Sequence, residues 1–181
     1  MTGNEDLRFP IGRFVWPAEV SPEQVRGWID EIERHPRELR DVVTSLTPAQ
    51  LEVPYRPEGW NSRQVVHHLV DSHVNSYIRF KWALTEPRPL IKTYFEDRWA
   101  ELPDSVATPI ETSLRLLEAL HERWTVLLRA LGPVELVREL VHPEWGTASL
   151  DRVIAMYAWH GKHHLAHITH LVAREGWTWD R

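Results

Sequence analysis

The chain has 181 residues, 43% hydrophobic and 26% charged, enough to bury a sizeable core as one ordinary domain over residues 1–181 without covalent staples. It contains no cysteine, which excludes disulfides, zinc ribbons, iron–sulfur clusters and any thiol nucleophile of its own, so thiol chemistry would need a thiol brought by a substrate. Lys and Arg are dispersed among Asp and Glu at a net charge of −5, which argues against a nucleic-acid footprint; with no 18-residue apolar run and no basic-then-apolar leader, a cytoplasmic location is expected.

Residues 1–20 hold Pro10, Gly12 and Pro17 without a sustained period and predict an extended arm, with Phe9, Phe14 and Trp16 to bury. The first long helix opens at Ser21-Pro22 with Gln24 completing a capping box, and carries Val25, Trp28, Ile29, Ile32, Leu39, Val42, Val43 and Leu46 at helical spacing. Pro36 inside it predicts a kink. Thr47-Pro48-Ala49-Gln50 predicts one short turn of helix. Beyond Pro54, Pro57 and Gly59, Asn61 caps a second long helix that runs to about Thr85.

Pro87 and Pro89 open a crossing segment, Leu90 to Val106, whose Tyr94, Phe95 and Trp99 are expected to cover one mouth of the bundle. Thr108-Pro109-Ile110-Glu111 reads as a capping box for a third helix, with Leu114, Leu117, Leu120, Trp124, Leu127, Leu128 and Leu131 following and Gly132-Pro133 as its stop. A short segment to Val141 and a loop from His142 to Gly146 lead to a fourth helix, from about Ser149 to Glu175, ended by Gly176. Four long helices, two longer connections and no strand alternation define an all-α four-helix bundle with long crossover connections.

Five of the eleven histidines fall between His160 and His170, and another cluster, His67, His68 and His73, lies far upstream. Imidazoles at helical spacing on two segments are how a helical protein builds a transition-metal site. His160 and His164, four apart, share a face about 6 Å apart along the axis and continue the stripe of Leu150, Val153, Ile154 and Tyr157, so both point inward. His163 and His170 fall toward the flank. His167, one turn on, is a candidate to support a ligand or to touch substrate. A histidine-rich surface is the bland alternative.

On the second helix the apolar row Val66, Val70, His73, Tyr77, Phe80 and Leu84 leaves His67 and His68 both off-centre. His68 shares its flank with Ser72, Asn75, Ser76 and Arg79, polar side chains that can line a pocket, and this favours it over His67. Arg79 and Asn75 are candidate substrate contacts, Arg79 for an anionic group; an exposed or salt-bridged arginine is the alternative. Asp71 is a candidate carboxylate to orient a ligand imidazole. No Ser-His-Asp order, phosphate loop or paired-carboxylate motif stands out.

Trp60-Asn61-Ser62-Arg63-Gln64-Val65-Val66-His67-His68-Leu69-Val70-Asp71 resembles the W-x7-H-L-x-D signature of the DinB/YfiT-like superfamily, and His160-x3-His164 with Leu165-Ala166-His167-Ile168 resembles its second metal motif. The resemblance covers nearly the whole chain, including Pro10-Ile11-Gly12 and the His121-Glu122-Arg123-Trp124 of the third helix, and is strongest to the YfiT branch. It implies a four-helical, often dimeric protein with His68, His160 and His164 as metal ligands. It also implies metal-dependent hydrolase activity or, for some members, bacillithiol S-transferase activity. His167 departs from the pattern, since many members have glutamine there.

Three neutral imidazoles would leave coordination positions open, as a catalytic site requires. The expectation is therefore a metal-dependent enzyme with one divalent ion per chain, zinc first and nickel or another metal next. It acts on a small molecule either as a thiol S-transferase or as a hydrolase with activated water. A non-catalytic metal-binding stress protein is the reading from a different class; a fourth protein ligand closing the site would favour it.

Overall fold

The computed structural model describes residues 4–178, and the outer ends of the expected N-terminal arm and C-terminal tail lie outside them. The elements in order are α1 (Asn4–Arg8), α2 (Pro22–Val43), α3 (Pro48–Leu51), α4 (Ser62–Thr85), α5 (Glu96–Trp99), α6 (Pro103–Ala107), α7 (Ile110–Arg129), α8 (Pro133–Leu136), β1 (Glu139–His142), β2 (Gly146–Ser149) and α9 (Leu150–Arg174). The long helices α2, α4, α7 and α9 form the four-helix bundle. Their packing runs α2 to α7, α7 to α4, α4 to α9 and α9 back to α2, which places α2 diagonal to α4.

Local chemistry sets most helix starts. Ser21, Thr47 and Asn61 each accept from the backbone amide three residues on, while Gln24, Gln50 and Gln64 reach back to the cap amide. The box expected at Thr108 is absent. Helix α7 begins one residue later, behind Pro109, and the Thr108 carbonyl is occupied instead by His67 and Arg63. Gly176, at a φ of +66°, stops α9 in the left-handed conformation that glycine adopts freely.

Three further differences from expectation have local causes. The arm contains a turn of helix, α1, and is otherwise irregular as far as Ser21. Residues 139–149 form an antiparallel hairpin pairing Glu139 with Ser149 and His142 with Gly146; four-residue strands are too short for an alternation to be read. The crossing segment adds α5 and α6, and only part of it covers the bundle: Ile91 is buried, whereas Phe95 is 67% exposed. Among the described residues, no helix is long and apolar enough to cross a membrane.

Two apolar clusters fill the interior. One gathers Ile32, Phe80, Trp124, Leu150 and Ile154; the other gathers Leu39, Val66, Leu69, Leu117 and Ile168. Between them each long helix contributes histidine: His35 from α2, His68 and His73 from α4, His121 from α7, and His160 and His164 from α9. Gly161 lets α9 close on this layer, since a Cβ there would sit 3.0 Å from the His35 ring.

Candidate metal centre

Helices α4 and α9 bring His68, His160 and His164 together, with one ring nitrogen from each lying within 4.8 Å of the others. The centroid separations are 4.5 Å for His160–His164, 4.8 Å for His68–His164 and 5.5 Å for His68–His160. Trp60 closes over His68 at 4.6 Å. Burial, more than the neighbouring imidazoles, holds the His160 and His164 pKa values well below 6.5 and lowers that of His68 to about 4. All three rings are therefore neutral near pH 7 and offer lone pairs.

A second trio, His163, His164 and His167, meets the same distance limit but shares His164. Its His167 has both nitrogens engaged, Nε2 with the Arg8 carbonyl at 3.0 Å and Nδ1 with His164 Nδ1 at 3.3 Å. By contrast, the His68 ring has no hydrogen-bond partner among the described residues. The donor chemistry therefore fits a borderline transition cation best at His68, His160 and His164.

His67 turns the other way. Its Nε2 donates to the Thr108 carbonyl at 3.1 Å and its Nδ1 accepts from Ser113 Oγ at 2.7 Å, tying α4 to the start of α7. Asn75 is absent from the cavity lining and donates to the Asp71 carbonyl. The Asp71 carboxylate makes no hydrogen bond to an imidazole among the described residues; burial, then Asp104, raises its pKa to about 6. His163, expected on the flank, is buried, because the arm lays Phe9 against it and Trp159 stacks on it at 4.4 Å. His170 is exposed.

The cluster lies in the wall of a cavity of about 400 Å³ that the arm, the crossing segment and the hairpin complete. Arg79 reaches it from α4, and it is buried, not exposed or paired with a carboxylate. One terminal nitrogen donates to Tyr157 Oη at 3.4 Å, the other to the Lys92 carbonyl at 3.2 Å, and Nε has no partner. His142, which the sequence offered no reason to select, comes in from the hairpin stacked on Trp145 at 3.6 Å. Its Nδ1 accepts from the Glu144 amide, so the neutral ring carries its proton on Nε2. Burial and then Arg79 lower its pKa to about 4.

His73 and His121 were also missed as functional positions. His73 Nε2 lies 3.1 Å from His160 Nδ1 and His73 Nδ1 lies 2.7 Å from His121 Nε2. Histidine on an otherwise apolar helix stripe, as at both positions, was the available signal.

The fold and cavity define a class of helical bundle proteins with a histidine cluster between two helices. The profile of the DinB superfamily matches residues 31–168, and the chain belongs to that superfamily. It is 51% identical to a Bacillus mycoides protein over 96% of this chain and 99% of that one, and 52% identical to a Bacillus cereus protein over 95% and 99%; each is named "Putative metal-dependent hydrolase". The solved structure of YfiT from Bacillus subtilis, described as a probable metal-dependent hydrolase with an unusual four-helix bundle topology, superposes with a TM-score of 0.93. The two are 46% identical, over 96% of this chain and 99% of YfiT.

Proposed function

We propose that the chain, working as one domain over residues 1–181, is a metal-dependent enzyme that transfers a low-molecular-weight thiol to an electrophile, with His68, His160 and His164 as ligands. The observation that carries the reading is a trio of neutral imidazoles in the wall of an open cavity of about 400 Å³. A divalent ion held there, zinc in the first instance, supplies the Lewis acidity that lowers the pKa of a nucleophile entering its open position. A thiol, with a pKa of about 8.5, needs far less lowering than water at about 15.7. Among the described residues no carboxylate is hydrogen-bonded to the cluster to take a proton from water, which supports the thiol. The names of the relatives favour the second reading, hydrolysis. The family resemblance supports a homodimer as the working state.

Arg79 binds an anionic group of the substrate in this reading, because a buried guanidinium without a carboxylate is costly until an anion enters. His142, carrying its proton on Nε2, is placed to donate to the same group. Replacing Arg79 with methionine removes the uncompensated charge and keeps the volume. Thermal stability should therefore hold or rise, while the KM for an anionic substrate rises about 10- to 100-fold, the worth of one charged hydrogen bond. An unchanged KM with a lower Tm would show that Arg79 is structural.

To separate the two chemistries, purified protein loaded with cobalt is titrated with thiols and assayed on a chromogenic electrophile. Transfer predicts a sulfur-to-cobalt charge-transfer band and turnover that saturates with thiol. Equal turnover without thiol, with water in the product, would establish hydrolysis.

A further inference from the structure

From His160 a line of imidazoles runs away from the cavity through the middle of the bundle. His160 Nδ1 meets His73 Nε2 at 3.1 Å, His73 Nδ1 meets His121 Nε2 at 2.7 Å, and His121 Nδ1 meets the Ile32 backbone carbonyl at 2.6 Å. The sequence explains why that carbonyl is available. In an α-helix it would accept from the amide of residue 36, and residue 36 is proline, which has none. A buried carbonyl deprived of its helical donor needs another, and His121 supplies it.

A carbonyl can only accept, and this sets the direction of the whole line. His121 must carry its proton on Nδ1, which leaves Nε2 as a lone pair. The 2.7 Å contact then needs the proton of His73 on Nδ1, and the contact beyond it needs the proton of His160 on Nδ1. Three neutral rings bring three protons, one for each contact, and His160 is left with an unprotonated Nε2. A shorter line does the same for His164. His167 Nε2 donates to the Arg8 carbonyl, so its Nδ1 accepts from His164 Nδ1, and the lone pair of His164 is on Nε2.

We propose that these two lines are a positioning device: beginning at the carbonyls of Ile32 and Arg8, they lock His160 and His164 in the tautomer that presents an unprotonated Nε2 to the ion. An isolated neutral histidine prefers its proton on Nε2, the nitrogen needed here as a ligand, so the lines reverse that preference. His73, His121 and His167 are thus positioning residues, and Pro36 is the origin of the longer line. Metal-bound histidines are often oriented by a carboxylate, which adds negative charge to the site. Neutral imidazoles orient without that charge and leave the ion a stronger Lewis acid. The role toward an ion rests on the three-histidine reading above, whereas the tautomers do not.

Full-length protein labelled with 15N at histidine, metal-free and then zinc-loaded, reads the tautomers by long-range proton–nitrogen correlation. The metal-free protein should show protonated Nδ1 at His73, His121, His160 and His164 and protonated Nε2 at His167. A proton on Nε2 of His160 or His164 would overturn the assignment, and this readout needs no variant. In a folded His121→Phe protein His160 should lose its single tautomer and zinc affinity should fall about 10- to 100-fold. His121→Gln, which can both donate to Ile32 and accept from His73, should recover part of the loss. Unchanged tautomer and affinity in the folded phenylalanine variant would refute the device. Wild-type protein with the stated tautomers but no zinc affinity would instead reject the metal reading, and the positioning role with it.

Discussion

Zinc affinity in His164→Ala is expected to fall by at least about a hundredfold, since each ligand of a transition-metal site carries several kcal/mol of the binding energy. His160→Ala and His68→Ala should do the same, measured by calorimetric titration on folded protein. His67→Ala is the discriminating control. It loses the hydrogen bonds to Ser113 and to the Thr108 carbonyl, which keeps only Arg63, so it should lower stability by about 1–3 kcal/mol and leave zinc affinity intact. Zinc bound at wild-type strength by His160→Ala and His164→Ala would show that the ion belongs elsewhere.

Acid should unfold the metal-free protein steeply. Burial lowers the pKa values of His35 to about 3 and of His121 and His68 to about 4, and holds those of His73, His160 and His164 well below 6.5. An unfolded chain titrates its histidines near 6.5. Below that pH the unfolded state binds more protons than the folded one, so stability is full above pH 6.5 and falls as pH drops toward 4. Each enclosed ring contributes up to about 1.4 kcal/mol per pH unit, against a total stability of about 5–15 kcal/mol. Several rings together should unfold the chain cooperatively within that window, with an uptake of several protons in the far-UV dichroism titration. Saturating zinc should move the midpoint to lower pH, because it binds only the folded, deprotonated cluster. A metal-free protein still folded at pH 4 would contradict the burial of the layer.

The long helices were legible because their signals are local. Ser21-Pro22 with Gln24, and Asn61 with Gln64, satisfy cap amides within one turn, and stripes such as Leu114, Leu117, Trp124 and Leu128 repeat on one face. The hairpin was not legible, because Glu139–His142 is stabilised by its pairing with Gly146–Ser149 and by a bridge from Leu90 to Val141, none of which a four-residue run reveals. His163 looked like a flank residue because α9 taken alone carries no information about where Phe9 will lie.

By itself the sequence determined a cysteine-free helical bundle and a clip of inward imidazoles at His160 and His164, since helical periodicity is a property of one segment. It also held, unread, the missing amide of Pro36. The polar flank already favoured His68 over His67; tertiary structure alone decided that His67 turns to Thr108 and that Arg79 is enclosed without a carboxylate. It likewise decided that His73 and His121 join His160 in a line ending at Ile32. Those outcomes depend on which helices become neighbours and on the desolvation that follows, and burial arises only when separate segments exclude water from one another.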